Sequence, residues 1–227
     1  MSTFTRGSTL RGPAIVEFDN TIIRTKGDVK VNLALETFSL DSSETPNIDE
    51  RISGIPCSIE FEPVGIINAG IVNTLFSPLT AIVGSSLFGT QDKPCTITPI
   101  SGKEKITFHC CAITKMPDIF FSATKTALGP AGITAILKNS TEWSNAAARL
   151  TIADVAAPQL AAYDPTEIPT NAARIAWGTS APWTTISSRE GVVISFDMAT
   201  EPEITDEHGL VDMVLAGIVA RARFSPM

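Results

Sequence analysis

A chain of 227 residues with 44% apolar side chains can bury a sizeable core, and the surface it hides offsets the entropy of ordering the chain, which excludes wholesale disorder. Its net charge of -7 disfavours a duplex-binding protein, because phosphate contact depends on Lys and Arg. No apolar run reaches the roughly eighteen residues of a spanning helix, and residues 1–12 are polar, so a soluble protein without a secretory leader is expected.

Residues 14–24 read as a strand with Asp19-Asn20 as a tight turn within it. Lys26-Gly27-Asp28 leads into the cleanest alternation in the chain. There Val29, Val31, Leu33 and Leu35 oppose Lys30, Asn32, Ala34 and Glu36, which predicts one buried and one mostly wet face. Residues 41–54 (DSSETPNIDERISG) are polar and acidic and read as a long loop, a kind that compact domains seldom keep without a use. Cys57, Ile59 and Phe61 then alternate with Ser58, Glu60 and Glu62 in the next strand. Ile67, Ile71 and Leu75, spaced i, i+4, i+8, predict a short helix over 66–75 that stops before Pro78. Residues 84–94 read as a loop, and 95–100 with 105–115 as a hairpin across Ser101-Gly102.

Residues 116–138 mix Pro117, Gly129, Pro130 and Gly132 with short apolar runs and show no single period. Residues 143–150 predict a helical turn or two, 154–169 a connection rich in Ala and Pro, and 172–177 and 186–198 further strands. The last limbs, 191–224, form a hairpin turned at Asp206-Glu207-His208-Gly209. Strict alternation puts Leu210, Val214, Ala216, Ile218, Ala220, Ala222 and Phe224 on one face of the return limb, interrupted by Asp212. Val211, Met213, Leu215, Gly217 and Val219 take the other face, which turns polar at Arg221 and Arg223. Such a limb spans about 50 Å, against a usual strand of about five or six residues. Apolar on both faces, it wants cover on both, part of it from neighbouring subunits; Val211, Met213, Leu215 and Val219 are the candidate inter-subunit strand. The whole reads as mainly β with one or two short helices and long inter-strand loops.

Catalytic signatures are missing: no GxGxxG, GxSxG or HExxH occurs. Gly84 to Gly89 imitates the glycine spacing of a phosphate loop, but Thr90 and Gln91 stand where the phosphate- and magnesium-binding residues belong. His109 is read as a mid-strand residue sharing a face with Cys111, without a second ligand pair for a metal; His208 is read as a solvated turn residue. Glu60 and Glu62 sit about 7 Å apart on one strand face, which glycosidase geometry would accept, but they read as a solvated acidic face. Cys57, Cys95, Cys110 and Cys111 contain no CxxC and read as buried thiols in a reducing compartment. Asn139-Ser140-Thr141 is a glycosylation sequon, but with no secretory leader no glycan is expected. No catalytic, cofactor-binding or metal-ligating set emerges, so no enzyme and no cofactor are expected.

The order of segments resembles the major tail tube proteins of long-tailed bacteriophages. The pieces that carry it are RGPAIVEFDNTIIRTKGDVKVNLALET near the start, EFEPVG at 60–65, SSLFGTQDKP at 85–94 and FHCCAITKMPDIFFSATKT at 108–126. They continue with AWGTSAPW at 176–183, EGVVISFDM at 190–198 and the final GLVDMVLAGIVARARFSP. Together they span nearly the whole chain, and their specificity lies in their order. The resemblance implies a single domain over 1–227 and a β-sandwich or barrel-like fold with a small flanking helix; it is weakest over about 116–170, where a small inserted or elaborated region has room. It also implies rings of six copies, stacked into a tube in the virion tail and assembled in the bacterial cytoplasm. Double-stranded DNA would pass through without specific binding, and the partners would be further copies and the tape measure, terminator and distal tail proteins, with no membrane. By position, Asp41, Glu44, Asp49, Glu50 and Arg51 would belong to a loop contacting the adjacent ring. Glu36, Glu60, Glu62 and Asp197, on wet strand faces, would line an acidic channel that leaves phosphates no cation to pair with. Two other classes stay open: another virion β protein, such as a tail terminator, baseplate-hub or capsid decoration protein, and a cytosolic β-sandwich binding module or unrecognised enzyme.

Overall fold

Asp19 and Asn20 both take positive φ, 49° and 60°, the left-handed pair that a two-residue hairpin turn demands and that, after Gly, Asn and Asp tolerate best. They fold β1 (Ala14–Phe18) back onto β2 (Thr21–Arg24), with Phe18 opposite Thr21 and Ile15 opposite Arg24. The computed structural model describes residues 14–34, 36–40, 49–54, 57–64, 69–88, 93–100, 103–122, 126–136, 150–155, 174–178, 180, 184–205 and 209–226. Within them the protein is mainly β, built of antiparallel sheets with one α-helix, a sandwich-like arrangement.

One layer adds β7 (Cys95–Pro99), β8 (Lys103–Phe108) and β13 (Leu150–Val155) to the first hairpin, in the order β13-β8-β7-β1-β2. Ile23, Val16, Ile97, Ile106 and Ile152 stand opposite one another across its five strands. The first three are buried, and the row ends at Ile152, 60% exposed on the edge strand. The other layer is β3 (Lys30–Leu33), β6 (Cys57–Phe61), β12 (Ala131–Ala135) and β9 (Cys111–Lys115), in the order β3-β6-β12-β9. Val16, Phe18, Ile23 and Ile97 from the first layer meet Ile59, Phe61, Ile113 and Ile133 from the second in one core. Each such side chain stabilises the fold by about 1.5–3 kcal/mol through burial. The helix α1 (Ala69–Leu75) adds Ile71 and Leu75 to that core, and a 3₁₀ turn with Pro78 at its start ends it.

The remaining strands form two further sheets. β4 (Glu36–Leu40) pairs with β5 (Asp49–Gly54) in a separate two-stranded hairpin. β10 (Ile119–Phe121), β11 (Thr126–Leu128), β14 (Arg174–Trp177), β15 (Thr184–Thr205) and β16 (Gly209–Pro226) form another sheet centred on β15. β15 has 22 residues and β16 has 18.

Several sequence expectations change at irregularities that periodicity does not register. The predicted strand over 29–36 is two strands, β3 and β4, and Leu33 is 57% exposed rather than buried. The acidic loop over 41–54 is shorter than predicted, because 49–54 is strand; Asp41 and Glu44 lie outside the described residues. The predicted limb 105–115 breaks at His109-Cys110, where the chain leaves the first layer as β8 and enters the second as β9. Within the stretch that showed no single period, Ile119–Phe121, Thr126–Leu128 and Ala131–Ala135 pair into the sheets as β10, β11 and the inner strand β12. Leu150, read as the end of a helical turn, starts β13, and Asp154, read as connection, continues it. Leu35, Ile67, Gly89 to Gln91, Ser101-Gly102, the sequon 139–141, the helical turn 143–149, the connection 156–169 and Asp206 to His208 lie outside the described residues.

Gly191 on β15 sits where a side chain does not fit. Its φ is +99°, and a Cβ there would collide with the carbonyl oxygen of Phe121 on the paired strand β10. Gly217 has nothing within 4 Å of its Cβ position. Gly191→Ala should therefore destabilise the fold by more than about 2 kcal/mol, and Gly217→Ala by less than about 0.5 kcal/mol, in urea denaturation.

Candidate functional site: an open-edged hairpin

β15 and β16 run antiparallel from Ser188 opposite Pro226 to Thr205 opposite Gly209. Two irregularities on β16 set which side chains face the core. Glu203 pairs with Asp212 and Ile204 with Leu210, so Val211 is an extra residue; Ala199 pairs with Gly217 and Thr200 with Leu215, so Ala216 is another. Each bulge shifts the side-chain phase by one residue. The core side of β16 is therefore Leu210, Met213, Leu215 and Ile218, not the strict alternation of Leu210, Val214, Ala216 and Ile218. Leu215 is fully buried, Leu210 and Met213 pack on Phe88, Cys110, Ala112 and Ile136, and Ile218 packs with Phe196 and Met198 on the main core. Phe196 meets Phe76 with ring centroids 5.1 Å apart and a 60° tilt, an arrangement aromatic pairs favour.

The outer edges of the hairpin are covered for short stretches. On β15, β10 pairs with Val192, Val193 and Ile194. On β16, the segment read as a loop before Pro94 behaves as a short strand. Gly84 N–H donates to Leu215 O at 2.8 Å, Leu215 N–H to Ser85 O at 3.0 Å and Leu87 N–H to Met213 O at 2.9 Å. Ser86 Oγ donates to Asp212 Oδ1 at 2.7 Å. Beyond these two covers, no described residue pairs with the outer edge of β15 over 195–205 or of β16 over 216–226. The two open stretches lie on opposite sides of one hairpin.

Of the expected inter-subunit residues, Met213 and Leu215 are covered within the chain, Val211 is half-buried at a bulge, and Val219 is 52% exposed beside the open edge. The expected channel-lining acids fall in three separate sheets: Glu36 on β4, Glu60 on β6 with Glu62 just after it, and Asp197 on β15. Glu60 is exposed, with Lys30 opposite it on β3. Two of them have cation partners within the chain. Glu62 pairs with Lys26 at 3.2 Å, and Asp197 accepts from Arg221 on the neighbouring strand. Of the expected inter-ring residues, Asp49 is exposed, and Glu50 and Arg51 occupy β5 opposite Ser39 and Phe38.

His109 is at the bend between β8 and β9, not mid-strand, and its Nε2 lies 2.8 Å from Thr151 Oγ1. A cleft of about 330 Å³ between Phe18, Pro78, Leu87, Phe88 and Ile113 contains, among the described residues, one ionisable side chain, Lys93, 4.0 Å from Asp19. Among the described residues no three His, Cys, Asp or Glu gather to hold a metal, and no helix is long and apolar enough to cross a membrane. No protein-family model and no curated protein matches this chain.

Three thiols do meet in the core. Cys57 and Cys111 flank Ala135 on the second layer, and Cys95 faces them from the first. Burial, with Cys95 adding to it, pushes the Cys57 thiol up to about 12 and raises Cys111 in the same direction. An unfolded thiol near 9.0 loses its proton where the folded one keeps it, so stability is full below pH 9 and falls as pH rises toward 12. The loss is at most about 1.4 kcal/mol per pH unit per thiol. Between pH 9 and 11, denaturation midpoints of C57A/C111A should fall less steeply than those of the unaltered protein; parallel slopes would contradict the assignment.

Proposed function

We propose that the chain is the ring-forming subunit of a hollow tube, the major tail tube protein of a long-tailed bacteriophage. The observation that carries this reading is the pair of strand edges, on opposite sides of the β15–β16 hairpin, that no described residue covers. Unpaired edges recruit other strands, and natural β proteins cover them or close them on themselves. Pairing β15 of one copy with β16 of the next uses two different surfaces, and such head-to-tail contacts generate a closed ring when the rotation between copies divides a full turn. Closure leaves no edge and gives a barrel whose strands tilt about its axis. The ordered segments that resemble tail tube proteins supply the identity of the ring: six copies, stacked, with DNA passing through. In this reading the β4–β5 hairpin reaches the adjacent ring. The channel wall combines carboxylates with paired cations and offers phosphate little net attraction, so DNA slides rather than binds.

Purified protein concentrated at low and moderate salt should sediment as ring-sized and larger species, and electron micrographs should show hollow tubes of uniform diameter. Monomer alone at millimolar concentration, together with no tube in any virion that carries the chain, would overturn the reading.

A further inference from the structure

The two open edges differ in charge. Residues 195–205 carry Asp197, Glu201 and Glu203 and no Lys or Arg, whereas 216–226 carry Arg221 and Arg223 and no Asp or Glu. Cross-strand partners share a face, and so do alternate residues along a strand. Val193 is opposite Arg223, Ser195 opposite Arg221, and Asp197 opposite Val219, so all five charges sit on the same face of the hairpin. That is the face away from Phe196, Met198 and Ile218, which pack on the core. All five are exposed, and among the described residues the one ion pair within this set joins Asp197 to Arg221. Glu201, Glu203 and Arg223 have no ionic partner among the described residues.

We propose that the seam between copies is charge-keyed, with the acidic edge of β15 in one copy docking against the basic edge of β16 in the next. The inference rests on the tube reading and adds what selects the partner and the side. Two β15 edges would bring like charges together, as would two β16 edges, and only the head-to-tail pairing opposes acid with base. The covered stretches limit the seam at both ends. Gly84 to Leu87 already occupies β16 at Met213 and Leu215, and β10 occupies β15 at Val192 to Ile194, so an incoming strand is confined to the charged stretches. The pleat imposes a further condition. Glutamates and arginines point to the same side in every register that keeps the core faces continuous, because the residues concerned share parity on both strands beyond the Ala216 bulge.

A paired charge reversal tests this. E201K/E203K makes both edges basic and R221E/R223E makes both acidic, so neither variant should assemble by itself. Mixed one to one, each acidic edge meets a basic one and alternating copies can close an even-numbered ring. The expected result at low salt is at least a roughly tenfold rise in the concentration needed for assembly of each variant alone, and recovery of assembly in the mixture. Circular dichroism and thermal midpoints check that both variants fold, and about 1 M salt should partly restore each alone by screening. Unchanged assembly of either variant alone overturns the charge key and leaves the tube reading standing. Folded variants whose mixture stays silent overturn it as well. Failure of the unaltered protein to assemble in the same buffers removes the tube reading and this inference together.

Discussion

Backbone hydrogen bonding along the β15–β16 hairpin is the constraint from which the rest of the account follows. From Ser188 onward each strand satisfies its inner edge against the other, and among the described residues each has its outer edge covered over only a few residues, by β10 on one side and by Gly84 to Leu87 on the other, while β14 pairs with Thr184 to Ser187 ahead of the hairpin. An extended chain that exposes a row of amide donors and carbonyl acceptors either meets water along its length or takes a further strand. The hairpin is too long to be accounted for by the sandwich it grows from. Strands of 22 and 18 residues reach roughly 60–70 Å, several times an ordinary strand.

The sandwich positions this hairpin and holds it in one orientation. Leu215 is fully buried, Ile218, Phe196 and Met198 pack on the main core, and Phe76 after the helix stacks at a tilt on Phe196. These contacts fix which face of the hairpin looks at the core, and so place Asp197, Glu201, Glu203, Arg221 and Arg223 together on the other. The bulges at Val211 and Ala216 make the long limb usable. Without them, keeping Ile218 toward the core would turn Leu215 outward and Val214 inward. Position therefore comes from the core, while the capacity to associate comes from the edges.

Much of the fold was legible from residues alone. The Asp19-Asn20 turn, the alternation of Cys57, Ile59 and Phe61, the helix before Pro78 and the long terminal hairpin all carry local signals of known physical origin, and the structure contains each. Single-residue phase shifts were not legible. Val211 and Ala216 are small or branched apolar residues among others like them, and nothing in their chemistry marks them as the extra residue of a bulge. The break at His109-Cys110 was hidden for a similar reason, since the apolar pattern runs through it while the chain changes layer. The edge cover by Gly84 to Leu87 is a long-range pairing with residues more than a hundred positions away, beyond the reach of local pattern. Charge segregation between the two limbs was present in the sequence, but its meaning depends on knowing which edges are open.

Hydrogen exchange of backbone amides, compared between dilute monomer and concentrated assembled protein, tests the central claim most directly. If the open edges close against further copies, alternate amides over 195–205 and 216–226 exchange fast in the monomer and become protected on assembly. Amides that already bond within the hairpin, and the Leu215 amide bonded to Ser85, should change little. Equal exchange of both stretches in monomer and assembly, with protection arising elsewhere on the molecule, would contradict the account.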